Sequence, residues 1–266
     1  KKAIGYLFVG GWSLFSVGLL VWVVVASLKT TRELFGAPWS LPKTAMFTNY
    51  VKVWISNNFG LYFQNSLLVV AGSVLALLFV AVPAAYVLSR GHFAGRSALL
   101  NFFIFGMGIP VPLLFIPLVV LTTRAGLVDT LGGLCLTYVA LSLPFSIYVL
   151  YGFFISLPSE LEHAARIDGC SDWQIFRHVM LPLAAPGIAT VAILNFVSIW
   201  NDYQLSLVLI NSPENRTLSL GLYALITSMQ YSGGNWPGLF AGVTMVMLPT
   251  ILIYLFLSQR MISGIT

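Results

Sequence analysis

Residues 158–182 read PSELEHAARIDGCSDWQIFRHVMLP. Ser159 stands three residues before Glu162, the spacing of a capping box that starts a helix. Asp168-Gly169 can end that helix, with glycine supplying the left-handed backbone that closes the last turn. Ser171 stands three residues before Gln174, a second capping box, and Pro182 is expected to break the chain before the next apolar run. The stretch therefore predicts two short helices at an angle, joined at Gly169. The first sets Leu161, Ala164, Ala165 and Asp168 along one stripe. Its alanines let another surface approach closely, so the segment is an amphipathic knuckle shaped to dock into a groove.

On both sides of this knuckle the chain is almost without charge. A helix needs about 20 mostly apolar residues to cross a bilayer. Six runs qualify, at about residues 4–28, 59–89, 98–122, 131–157, 183–210 and 237–258. They are continuous rather than alternating, which excludes the strands of a closed barrel. The first follows Lys1-Lys2 as a signal peptide would, but its uncharged stretch from Ala3 to Leu28 exceeds the roughly 7–15-residue core of such a peptide. A chain starting at Lys1 rather than Met is expected to lack some N-terminal residues. Pro83, Pro110, Pro112, Pro117, Pro144 and Pro249 fall within the runs, and each favours a kink. The connections 158–182 and 211–236 are long and polar, and the latter, with Pro213, Gly221, Gly233 and Gly234, reads as a loop.

Composition supports the same class. Hydrophobic residues make up 58% of the 266 positions and charged ones 8%, against about a quarter charged in soluble domains. So few polar side chains cannot cover a water-facing surface of this size. The net charge of +5 is spread over single cations between spans. They read as headgroup anchors and not as a nucleic-acid surface. Cys135 and Cys170 lie in different segments, and His92, His163 and His178 are dispersed, so no metal site is expected. There is no phosphate-binding Gly-rich loop ending in Lys-Ser/Thr, no Gly-x-Ser-x-Gly and no His-Glu-x-x-His. The chain is expected to catalyse nothing and to bind no nucleotide itself.

The knuckle resembles the EAA loop of binding-protein-dependent ABC importer permeases, whose core is Glu-Ala-Ala-x-x-x-Gly followed by a distal Leu-Pro. Ala164, Ala165, Asp168, Gly169, Leu181 and Pro182 match, while His163 stands where a second Glu usually precedes the alanines. Asn49-Tyr50, Phe63-Gln64-Asn65-Ser66, Tyr86–Arg90 with Phe93–Arg96, Gly126–Thr130 and Trp200-Asn201-Asp202 extend the likeness over nearly the whole chain. Together they resemble the smaller, six-span permease of maltose-type sugar importers. The resemblance implies an all-α integral membrane protein: a six-helix type I ABC importer permease fold with cytoplasmic coupling helices. It implies a prokaryotic inner membrane with both termini cytoplasmic, which the count of seven Lys/Arg inside against six outside hardly decides. It implies a second homologous permease as heterodimer partner, two ABC ATPase subunits holding ATP and Mg, and an extracytoplasmic sugar-binding protein that the 211–236 loop reaches. Glu160, Glu162, Ala164, Ala165, Asp168 and Gly169 would contact the ATPase.

Asp202 is the only acid within the six runs. An intramembrane carboxylate is costly unless paired or hydrated. Asp202 therefore lines a translocation path with Asn195, Trp200, Asn201 and Gln204, or it is a helix-end carboxylate bonded to neighbouring backbone. Tyr203, Trp200 and Tyr231 could stack on sugar rings or serve as an interfacial aromatic belt. Another polar solute, such as glycerol phosphate or a glycerol phosphodiester, is the alternative cargo. It would favour a cation facing the path, and no Lys or Arg lies deep in a span. An intramembrane enzyme would need a Ser/His, paired-Asp or metal constellation inside the spans, for which a single Asp202 with no intramembrane His is poor material, and a scaffold would not need the angled knuckle.

Overall fold

A computed structural model describes the backbone of residues 2–232 and 234–265, with side chains from 5–229 and 234–256. The described residues form helices and connecting loops. The first long helices are α1 (Lys2–Ser27) and α4 (Phe59–Arg90), with α2 (Thr31–Gly36) and α3 (Thr48–Ser56) between them. Then come α5 (Arg96–Met107), a 3-10 turn at Val111–Leu114, α6 (Phe115–Arg124) and α7 (Leu131–Ser156). The knuckle holds α8 (Glu160–Ile167), α9 (Asp172–Ile175), a π turn at Phe176–Met180 and α10 (Leu181–Leu183). It is followed by α11 (Ala185–Asn201), α12 (Gln204–Leu209), α13 (Leu218–Ser232) and α14 (Trp236–Ile265). Uninterrupted apolar runs become helices because lipid offers backbone groups no partner but the next turn.

Among the described residues, four helices are long and apolar enough to cross a membrane, and two bent pairs raise that to six if each pair is one span. The run at 98–122 is not one straight helix. It breaks at Gly108–Pro110, where α5 and the following helical segment meet at 98°. Pro110 and Pro112 remove two successive-turn donors there, so the backbone cannot carry the ladder through. Pro83, Pro144 and Pro249 stay inside continuous helices. The run at 183–210 is also divided: α11 ends at Asn201 and α12 starts afresh at Gln204. A 17-residue helix rises about 25 Å, short of a roughly 30 Å hydrocarbon core.

The long helices α4 and α7 pack along each other; α11 packs against both, α14 against α11, α1 against α14, and α5 against α7. Small groups hold the α4–α7 seam close: Gly72 faces Cys135, and Cys135 Sγ lies 3.6 Å from the Val69 carbonyl. One apolar core gathers Phe59, Tyr62, Leu134, Trp200 and Leu218, and a second gathers Leu77, Leu150, Phe154, Ile175 and Met180 at the knuckle end. The outer flanks carry exposed Phe79, Phe105 and Ile116, which suits contact with lipid.

The two long connections at the end away from the knuckle are folded. Asn49 Nδ2 donates to the carbonyls of Ser27 (2.8 Å) and Lys29 (3.0 Å), satisfying groups left open where α1 ends. Residues 218–232, read from sequence as part of a polar loop, form α13, with Leu218 and Leu220 buried. Gly221 is no helix breaker there. A β-carbon on it would collide with the Tyr62 ring, so its absence lets α13 lie against α4.

Candidate functional sites

The knuckle starts without its expected capping box. Ser159 has a helical backbone (φ −70°, ψ −22°), and its side chain caps nothing. Glu162 instead turns inward, 8% exposed, with Oε1 3.2 Å from Arg90 Nε. Arg90 ends α4, and its Nη2 donates to the carbonyls of Phe154 (2.8 Å) and Leu157 at the end of α7. One guanidinium thus ties α4, α7 and α8 together. Coulomb attraction within the Arg90–Glu162 pair strengthens as water is excluded, while neither Arg90 Nε nor Glu162 Oε1 makes a hydrogen bond among the described residues.

Gly169 has φ +82°, the left-handed turn expected of it. The Ser171–Gln174 capping box forms as read, with Ser171 N donating to Gln174 Oε1 at 2.8 Å and Gln174 N to Ser171 Oγ at 3.4 Å. The predicted stripe divides: Ala165 is buried, while Leu161, Ala164 and Asp168 are exposed, as is Glu160. Ile167 (87% exposed) and Trp173 (63%) add large apolar groups to the outer surface. Pro182 does not break the chain. A π turn precedes it, loosening the ladder near the point where proline withdraws a donor, and the 68° bend comes after Leu183.

A cleft of about 420 Å³ opens between α7 and α11, with Tyr138, Ser142, Asn195, Ser198 and Asp202 as its polar lining. Asp202 has left the helical backbone (ψ 129°), and its Oδ1 accepts from Tyr138 Oη (2.8 Å) and from Leu205 N (3.1 Å). Asp202 is thus the helix-end carboxylate of the second sequence reading and also lines the cleft of the first. Its Oδ2 accepts no hydrogen bond among the described residues. Tyr138 Oη also lies 3.3 Å from Ser206 Oγ, which in turn accepts from Thr217 Oγ1 at 3.3 Å. Asn195 Nδ2 donates to Ser146 Oγ (3.0 Å) and the Val191 carbonyl (2.8 Å). Among the described residues, lysine and arginine are absent from the lining.

The sequence profile of the family described as "Binding-protein-dependent transport system inner membrane component" matches residues 78–264. The chain belongs to this family. It is 37% identical over 255 residues to the diacetylchitobiose uptake system permease protein NgcG of Streptomyces coelicolor, covering 96% of this chain and 84% of that one. It is 32% identical to the trehalose transport system permease protein SugB of Mycobacterium tuberculosis, covering 93% and 89%. A solved bacterial ABC transporter that imports the acidic polysaccharide alginate contains a chain of the same fold, with a TM-score of 0.86, 24% identity, and coverage of 97% and 95%. The protein is a membrane permease with the all-α, type I importer permease fold.

Within this permease the residues singled out from sequence part company. Asn195 and Asp202 line the cleft, whereas Trp200, Asn201 and Gln204 do not. Trp200 is 2% exposed, stacked on Phe196 at 5.7 Å, and its Nε1 donates to the Val246 carbonyl at 2.9 Å. It is core and has no free face for a sugar. The amide of Asn201 turns back to the Val197 carbonyl at 2.8 Å. Tyr203 stacks on Tyr223 at 5.0 Å, and the Tyr231 side chain lies outside the described residues. Sequence reasoning passed over Tyr138, Ser142 and Ser198, since single hydroxyls in apolar helices carry no local signal. It also passed over Arg90 as the partner of Glu162, although a cation at the end of a span was visible. Among the described residues no group of three His, Cys, Asp or Glu gathers.

Proposed function

We propose that this permease forms half of the translocation path of an ATP-driven importer for an uncharged sugar or oligosaccharide. The observation that carries this reading is the cleft lining: hydroxyls, an amide and one carboxylate, without a cation. Hydroxyl-rich solutes suit such a wall, since each group can donate or accept. An anionic cargo would meet Asp202 as a like charge, which disfavours a phosphate-bearing solute and an acidic polysaccharide of the kind the alginate importer carries. The names of the relatives, uptake systems for diacetylchitobiose and trehalose, point the same way.

In this reading the knuckle is cytoplasmic and both termini lie inside. Leu161, Ala164, Ile167 and Trp173 offer the apolar surface that an ATPase subunit would grip, with Glu160 and Asp168 at its edge. Two such subunits would bind ATP and Mg and carry out hydrolysis. A second, similar permease would complete the path, and an external binding protein would deliver the sugar. Arg90–Glu162 joins the knuckle to the ends of α4 and α7, so a push on α8 would be passed to both helices.

Reconstitution of the copurified complex in liposomes tests the path. Asp202→Asn keeps acceptors for Tyr138 and Leu205 while removing the charge. Uptake per assembled complex is expected to fall about tenfold, the effect of losing one buried polar contact worth about 1–3 kcal/mol. Asn201→Ala, outside the cleft, is expected to leave it unchanged. Normal uptake per complex in Asp202→Asn removes the cleft from the substrate path.

A further inference from the structure

Where α1 leaves the apolar layer, the chain turns back along it. Lys29 is fully buried, and its Nζ donates to the carbonyls of Ala37 (3.0 Å) and Pro38 (2.8 Å). Trp22 Nε1 donates to the same Pro38 carbonyl at 3.0 Å, and Trp39 lies against Trp22 with ring centroids 5.6 Å apart. These contacts hold residues 37–41 against the side of α1. Two hollows result, and they share Leu41 as a wall. One is an apolar groove of about 390 Å³ along α1 from Phe15 to Val25, roofed by Trp39 and Leu41. The other is lined by side chains that include Arg32, Glu33, Ser40 and Lys43.

We infer that this paired hollow holds an anionic phospholipid, with one acyl chain in the α1 groove and the headgroup phosphate between Arg32 and Lys43. Three features of the molecule carry the assignment. From Phe15 to Val25 a helix rises about 15 Å, the depth of one leaflet of a roughly 30 Å hydrocarbon core. Gly18 leaves open space beside the groove, and Trp39 and Leu41 are nearly four-fifths exposed. Trp22 and Trp39 mark the headgroup level, where amphipathic rings settle.

The charge is also complementary. Among the described residues, the Arg32 guanidinium makes no hydrogen bond or ion pair, nor does the Lys43 ammonium make a hydrogen bond. Glu33 is the one carboxylate among the described residues lining the second hollow. Its oxygens are engaged by Thr30 N, Thr30 Oγ1 and Lys43 N, and it also feels the Lys43 charge. Lys29 beneath the loop is compensated by carbonyl dipoles and by no acid. Arg32 and Lys43 against one carboxylate, with Lys29 beneath the loop, leave a net positive pocket at the depth where lipid phosphates lie.

The test uses the intact complex in nanodiscs of phosphatidylcholine with and without a minor fraction of phosphatidylglycerol, read by native mass spectrometry and thermal unfolding. The expected result is retained phosphatidylglycerol and a raised unfolding temperature only in the mixed discs. The double variant Arg32→Gln/Lys43→Gln is expected to weaken retention by about tenfold or more, since each cation near a charged membrane surface matters about equally. Both positions are exposed, so the fold should tolerate the change, and size-exclusion chromatography checks assembly. Gly18→Leu, which fills the groove, is expected to lower retention with the cations intact. Equal retention in wild type and the double variant overturns the site. So does retention in the Gly18→Leu variant equal to wild type, or competition by inorganic phosphate alone.

Discussion

The knuckle and the cleft are built by opposite means. Between Ser159 and Leu183 most turns are decided by near neighbours: Gly169 supplies the positive φ, and Ser171 and Gln174 cap each other three residues apart. Around Asp202 almost nothing is local. Its carboxylate meets Tyr138, 64 positions earlier in the chain, Thr217 Oγ1 donates to Ser206 in the helix that follows, and Ser219 Oγ donates to the Trp200 carbonyl in the helix before it. A segment set by caps and glycines can be recognised alone and can move as a unit. A polar wall assembled from distant helices exists only while those helices stay packed. One of the places where the knuckle departs from its local plan, Glu162, is where it is fastened to the bundle.

That fastening is the largest single effect to test. Arg90→Met leaves Glu162 buried without a partner and frees two carbonyls at the end of α7. Breaking a buried ion pair from one side costs about 3–5 kcal/mol. We predict a marked drop in assembled complex and unfolding temperature, largely restored by Arg90→Met combined with Glu162→Leu. Loss of neither assembly nor stability in the single variant would show that the knuckle stands without its tertiary anchor.

Two glycines separate the local from the tertiary cause. Gly221→Val puts atoms into the Tyr62 ring from a helical backbone that accepts any residue. Overpacking of this kind costs about 1–3 kcal/mol, and the expected readout is lower stability of the whole bundle. Gly169→Val meets no atom within 4 Å, so its cost is that of a left-handed backbone alone, about 1–2 kcal/mol. We predict near-normal bundle stability but loss of substrate-stimulated ATP hydrolysis in the complex. Wild-type hydrolysis would sink the two-helix account of the knuckle.

The smallest effect concerns the turn at Asp129, which carries φ +57°. Its carboxylate accepts from the Ser212 hydroxyl, Ser212 N (2.9 Å) and Asn211 N (3.0 Å), so its pKa lies below the ordinary 3.8 despite some loss of hydration. A depressed folded-state pKa contributes stability that is present above the unfolded value and lost as pH falls through the folded one. Hydrogen-exchange protection of residues 211–217 is therefore expected to stay level from neutral pH down to about 4 and to decline below it. The decline should be absent in Asp129→Asn. A wild-type profile that falls already near neutral pH would contradict the latch.

Much of this permease could be read from its sequence. Runs such as 59–89 and 131–157 reappear almost residue for residue as α4 and α7, because a long apolar run in lipid has no alternative to the helix. The run at 183–210 was legible as apolar but not as broken, since hydropathy is blind to a carboxylate that stands at the end of α11 and accepts from Leu205 N in α12. Segment 211–236 misled in the other direction. Its glycines and proline resemble a loop, yet Gly221 is there to admit Tyr62. Trp200 was plausible as a sugar platform until Phe196, Phe63 and the Val246 carbonyl surrounded it.

By itself the sequence determined the membrane class, the helical runs, the Gly169 turn, the second capping box and the family likeness. All of these follow from interactions spanning a few residues or from composition. Only the tertiary structure decided that Glu162 answers Arg90, that Asp202 and Asn195 share a cleft from which Trp200 and Asn201 are turned away, and that the start of α13 is buried. Those outcomes depend on which distant groups compete for the same polar atom or space. A buried charge or ring is placed where its desolvation is best repaid, and that place is known only when the helices have met.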